Sequence, residues 1–130
     1  MRKGFTLLEL IIVIIIIGIL GALGFVQYGR VVERGRTAEA KVVLGQIRSS
    51  QEAYRAEYGN YTQTLDNLAV GAPTACTPTH YFTFSSSGGA SGIGTATRCT
   101  TGGKTPPGPT NYNVTLDYMS GGWSGTTGYY

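Results

Sequence analysis

The chain has 130 residues, with 10 Lys and Arg against 7 Asp and Glu, one His and two Cys, which is material for one domain at most. Its mean hydropathy of +0.00 averages two unlike regions: Phe5–Val26 holds only two polar side chains, Thr6 and Glu9, whereas Gly59–Tyr130 holds only four charges, Asp66, Arg98, Lys104 and Asp117. A uniform globular enzyme does not distribute polarity this way, and a nucleic-acid surface has little support, because the basic residues of Arg30–Arg55 are interleaved with Glu33, Glu39 and Glu52 and form no single-sign tract.

A short basic lead, Met1-Arg2-Lys3-Gly4, precedes the apolar run. As a helix, Phe5–Tyr28 is about 36 Å long, enough to cross a hydrocarbon layer of ~30 Å. Leu10–Val26 has no polar side chain anywhere on its circumference, so such a helix needs lipid or other apolar helices around it. Arg2 and Lys3 place the N-terminus in the cytoplasm. Two export readings fit this start. One is a secretory signal cut after Ala22-Leu23-Gly24, which releases a monomeric binding module beginning at Phe25. Against it stand the length of the run and Glu9, since an ionisable group costs roughly 2.5–3.5 kcal/mol at the bilayer centre. A carboxylate near the cytoplasmic end costs less, and either snorkels to the headgroups or has a task.

The other reading rests on Gly4-Phe5-Thr6-Leu7-Leu8-Glu9-Leu10 joined to the unbroken apolar run. This heptapeptide resembles the class III signal of bacterial type IV pilins and pseudopilins. The resemblance implies a cytoplasmic cut between Gly4 and Phe5 by a membrane aspartyl prepilin peptidase. It also implies N-methylation of Phe5 by the same enzyme and retention of the helix. Glu9 stands at the family's glutamate, Gly18 at a frequent glycine and Tyr28 at a frequent tyrosine. Val26 occupies a place where many pilins carry proline, with Gly21, Gly24 and Gly29 around it. The likeness covers Arg2–Tyr28 and extends more loosely to Leu68, including Ala53–Leu68, which resembles the passage from helix to sheet.

Beyond Tyr28, Val32, Ala40, Val43, Leu44, Ile47, Tyr54 and Tyr58 recur at helical spacing and predict one apolar face. Arg48–Glu52 and Glu52–Arg55 read as surface ion pairs on that helix, each worth a few tenths of a kcal/mol. No proline interrupts Phe5–Tyr58, so the sequence predicts one helix of about 50 residues, capped by Gly59-Asn60. Further on, His80–Ser85, Ala96–Thr101 and Asn111–Tyr118 read as strands, separated by Ser86–Gly94 and by Gly102–Thr110 with its three prolines. The expected fold is α+β: leader 1–4, membrane or filament-core helix 5–28, amphipathic continuation 29–58, and a head 59–130. The head carries three or four antiparallel strands packed on the C-terminal half of the helix. Two Cys in an exported domain favour a Cys76–Cys99 disulfide over a metal site, worth roughly 3 kcal/mol on the chain-entropy model.

The residues suggest no enzyme, cofactor or metal. His80 is the sole histidine and reads as a packed or surface residue. A haem attachment needs Cys-x-x-Cys-His. Gly103-Lys104-Thr105 imitates the end of a P-loop, but Arg98 stands at its first glycine and Pro106-Pro107 follows. Asn60-Tyr61-Thr62 and Asn113-Val114-Thr115 are glycan acceptor patterns on what reads as an unmodified surface. Thirteen Tyr and Phe are explained by packing rather than charge transport. By resemblance, the expected function is that of a major pilin, a homopolymer of a type IV pilus. Its partners are the prepilin peptidase, the assembly ATPase and its inner-membrane platform, and it passes from the inner membrane to an extracellular filament. A type II secretion pseudopilin or a minor pilin is the alternative. The proline-free Asn60-Tyr61-Thr62 and a C-terminal region with Asp117 as its one carboxylate lean toward pilin.

Overall fold

A computed structural model describes Gly4–Tyr130, apart from the side chain of Val26; Met1–Lys3 of the leader lie outside the described residues. The chain forms helix α1 (Leu7–Tyr58), a 3-10 turn at Leu65–Asn67, and strands β1 (Phe82–Ser86), β2 (Ile93–Arg98), β3 (Asn113–Asp117) and β4 (Trp123–Gly125). Two compact units divide it, one up to Val32 and one from Glu33 to Tyr130.

The 52-residue helix ends where the sequence expected. Gly59 takes φ +86° and donates its N–H to the Arg55 carbonyl at 2.7 Å, a left-handed cap that glycine adopts without steric cost. The start is two residues later than Phe5, because Thr6 caps rather than joins the helix.

In the second unit the four strands form an antiparallel sheet in chain order, β1-β2-β3-β4. Ala40, Leu44 and Ile47 of α1 meet Phe82, Phe84, Ala96, Val114 and Leu116 in one core, closed at its ends by Tyr61, Tyr112 and Tyr118. The inward positions of β2 are Gly94, Ala96 and Arg98. A Cβ at Gly94 would lie 2.9 Å from Leu44 and 2.8 Å from the Tyr118 hydroxyl, so a small centre in the sheet lets the helix seat closely. The 3-10 turn adds Leu65 and Leu68 to the core.

Three expectations need correction: the makeup of the helix stripe, the bounds of β2 and the ion pairs along α1. The buried stripe of α1 begins and ends on polar residues, Glu33, Thr37 and Gln51, while Tyr58 is exposed and Val32 only half-buried. Burial there is satisfied by hydrogen bonds instead of apolar contact. Strand β2 begins at Ile93 within the expected loop Ser86–Gly94, and leaves the sheet after Arg98 because Cys99 turns to its disulfide partner. β4, three residues long, is the fourth strand within the expected three or four; it is too short to register as a periodic run. The expected ion pairs Arg48–Glu52 and Glu52–Arg55 are not formed among the described residues. Arg48 donates to the Tyr118 carbonyl, Arg55 to the Tyr61 hydroxyl, and Glu52 accepts from that hydroxyl.

Candidate functional site

In the first unit, every described side chain from Gly4 to Val31 is exposed. The most apolar 18-residue window reaches a mean hydropathy of 2.9 with none of it buried, so α1 is long and apolar enough to cross a membrane. Nothing within this unit covers that surface, and roughly 25 cal/mol of stabilisation per Å² awaits whatever does.

Glu9 sits at the mouth of this helix in a reciprocal cap. Its Oε2 accepts from the Thr6 backbone N–H at 3.0 Å and from the Thr6 hydroxyl at 2.9 Å. The Glu9 N–H donates in turn to the Thr6 Oγ1 at 3.2 Å. This is a capping box, Thr-x-x-Glu. Its signature is local, Thr6-Leu7-Leu8-Glu9, and legible in the sequence. Among the described residues Oε1 accepts no hydrogen bond, so half of the carboxylate's acceptor capacity is left over. Gly4 and Phe5 precede the helix as exposed, non-helical residues, accessible from every side.

The second unit holds a polar constellation that sequence reasoning missed. Arg98 is buried on the inner face of β2, and its five N–H donors are all used. Nε and Nη2 fork onto Glu33 at 3.0 and 3.2 Å. Nη1 donates to the carbonyls of Tyr81 and Cys99 at 3.1 and 3.0 Å, and Nη2 also reaches the Pro106 carbonyl at 3.2 Å. The Tyr112 hydroxyl donates to Glu33 Oε2 at 2.9 Å, and Arg36 pairs with Oε1. Burial pushes the Glu33 carboxyl upward. The hydrogen bonds from Arg98 and Tyr112, with the charges of Arg98 and Arg36, outweigh it and hold Glu33 below the ordinary glutamate value. Burial and the neighbouring carboxylate push Tyr112 well above an ordinary tyrosine. A filled fork of this kind fixes α1, β2, β3 and the loop after Cys99 to one another. The available clue was one arginine in a head with only four charges, which is where a buried partner for a helix glutamate must be sought.

Cys76 and Cys99 form a disulfide spanning 23 residues, next to this constellation in the chain. His80 meets the Thr79 hydroxyl through Nδ1 at 2.9 Å. Lys104 of the P-loop imitation lies 4.8 Å over the Tyr81 ring. Asn60 is exposed while Thr62 of the same triplet is buried against Gln51.

Two regions of the chain match known families. Residues 1–25 match the prokaryotic N-terminal methylation motif, and residues 37–121 match the type IV pilin-like G and H family. The chain belongs to the type IV pilin family, in the broad sense that includes pseudopilins. The second match covers α1 from Thr37 onward, Arg98 and Tyr112, the disulfide and β1–β3; Glu33, Arg36 and β4 lie outside it. No curated protein matches the chain. For a pilin, the two units divide the work: an apolar helix carrying the methylation motif, and a head bearing most of the polar surface.

Proposed function

We propose that this chain is the major structural subunit of a type IV pilus. The observation that carries the proposal is the bare apolar helix headed by the methylation motif. Such a surface is stable in lipid or among copies of itself. In this reading the prepilin peptidase cuts between Gly4 and Phe5 and methylates the Phe5 amine. The helix stays in the inner membrane with its N-terminus cytoplasmic until the assembly ATPase and its membrane platform move it into the filament. The chain performs no catalysis and takes no cofactor; its function is polymerisation, and it ends outside the cell.

Glu9 registers each incoming subunit. In an apolar filament core a carboxylate must be paired or protonated, and the Phe5 amine of a neighbour is a positive group of matching depth. The capping box supports this assignment: Thr6 holds Oε2 and leaves Oε1 for the neighbour's N–H groups. Glu9→Ala should therefore be cleaved normally yet fail to assemble. Ordered filaments from Glu9→Ala would remove Glu9 from this role.

The deciding experiment is intact mass and N-terminal sequencing of sheared surface filaments beside the membrane fraction. Abundant sheared chain beginning at N-methylated Phe5 is the expected result. The same start confined to membranes makes the protein a pseudopilin or minor pilin, and a start at Phe25 makes it a released monomer.

A further inference from the structure

A groove of about 490 Å³ runs on the head between the C-terminal turns of α1 and the segment after the 3-10 turn, lined by Tyr54, Glu57, Tyr58, Asn67 and Leu68. Tyr54 and Tyr58 stack there with ring centroids 4.4 Å apart, and Tyr58 is 62% exposed. An exposed tyrosine backed by a half-buried one, beside a carboxylate and an amide, is the chemistry that receives proline-rich segments: proline rings lie on aromatic faces and lose little freedom on docking.

The same chain carries such a segment at the opposite end of its head. In Pro106-Pro107-Gly108-Pro109 all three prolines are exposed. The loop bearing them is held from inside by Arg98 on the Pro106 carbonyl, by the Gly108 N–H on the Cys99 carbonyl at 3.0 Å, and by the Lys104 N–H on the His80 carbonyl at 2.9 Å. It is thus shaped before any partner arrives, which lowers the ordering cost of binding. Arg98 ties this loop to Glu33, whereas the groove surrounds Glu57. Twenty-four helical residues separate these two positions, or roughly 36 Å. The loop of one chain therefore cannot fill its own groove.

Charge follows the same axis. With the buried Arg98–Glu33 pair set aside, Arg34, Arg36, Lys41 and Lys104 stand with Glu39 at the proline end, four cations against one anion. Arg48 and Arg55 stand with Glu52, Glu57 and Asp66 at the groove end, two cations against three anions. A positive end carrying the prolines complements a negative end carrying the tyrosines.

We propose that the groove at Tyr54 and Tyr58 receives the Pro106–Pro109 loop of a second copy of this chain, so that heads lock end to end. The two surfaces differ, so the contact is heterologous and propagates along a row instead of closing a dimer. This inference rests on the filament reading above and adds a head-to-head lock to the helix core.

The test replaces Tyr58 with the photocrosslinker p-benzoylphenylalanine in the full chain and irradiates sheared filaments. Covalent dimers and a ladder above them are expected, with the crosslinked peptide falling within residues 99–112. Filaments visible by electron microscopy whose crosslinks lead to any other segment, or that remain monomeric, overturn the lock and leave polymerisation standing. A wild-type chain that makes no filaments overturns both. If the bulky probe stops assembly, Tyr58→Cys combined with Pro107→Cys reports the same contact after mild oxidation. A ladder supports the lock, and monomers alone sink it; Tyr58→Cys without its partner cysteine must give no ladder.

Discussion

One helix serves two regimes. Up to Val31 its described side chains are all exposed, among them a run of isoleucines, whereas from Glu33 onward the same helix buries a stripe of mixed polarity against a sheet. The apolar half has no partner inside its unit and the mixed half has a complete one. Hydropathy thus identifies the surface left for other molecules, and the folded core is the less apolar of the two. The division also separates the two kinds of order: dispersion among interchangeable aliphatic side chains in the first half, and named hydrogen bonds in the second.

The sharpest way to break the second half is at Arg98. Arg98→Ala removes five hydrogen bonds from a buried site, leaves the Pro106 carbonyl without its donor and leaves Glu33 only Tyr112 and Arg36, and should cost about 3–5 kcal/mol. Thermal unfolding of the full chain in detergent, followed by near-ultraviolet circular dichroism, reads this directly. Arg98→Lys should recover little of it, since an ammonium cannot fill a five-donor fork. A paired comparison sharpens the contrast. Leu44→Ala should lower head stability by about 2–5 kcal/mol, while Ile14→Ala, equally apolar and fully bare, should leave the unfolding midpoint of the head unchanged. Equal losses from both would mean that the two regimes are not separate.

The Cys76→Ser and Cys99→Ser double variant ranks next, with an expected loss of about 3 kcal/mol from the freed denatured chain, measured as a shifted denaturant midpoint. Acid comes after it. Glu33 titrates below the ordinary value of 4.5 in the folded head, so its contribution is complete above about pH 4.5 and disappears as pH falls through its lowered value. Asp117, held low by the Ser120 N–H and hydroxyl, has the same sign. Stability should therefore decline below pH 4.5, and Glu33→Gln should flatten that decline; an unchanged slope would assign acid sensitivity to other carboxylates. The smallest effect belongs to Gly59→Ala. Its Cβ meets nothing within 4 Å, so only the φ of +86° is penalised, by about 1 kcal/mol.

Much of this architecture was legible beforehand, for reasons that differ along the chain. The apolar run, the absence of proline up to Tyr58 and the glycine cap are local signals, and the helix obeys them. The cysteine pairing needed only two cysteines and an exported context. The Arg98–Glu33–Tyr112 constellation was not legible, because its members lie 65 and 79 positions from the glutamate and no local period relates them. Likewise Arg48, Glu52 and Arg55 read as pairs along one helix face, but each finds a better partner in the head. The place of β4, within the three or four strands expected, was not legible because Trp123-Ser124-Gly125 carries too little pattern, and its pairing with β3 is supplied by the sheet.

The sheet order β1-β2-β3-β4 has a consequence for how fast the head forms. Each strand pairs with its successor through a local connection, so the sheet can zip as three successive hairpins without waiting for a distant strand. The costly closure is the one that brings Glu33–Gln51 onto the finished meander across the intervening chain. That seam, and not the strands, is where the rate of folding should respond to mutation: Ala40 or Ile47 should slow the approach to the native state, while Thr95 or Thr115 should alter only the rate of leaving it.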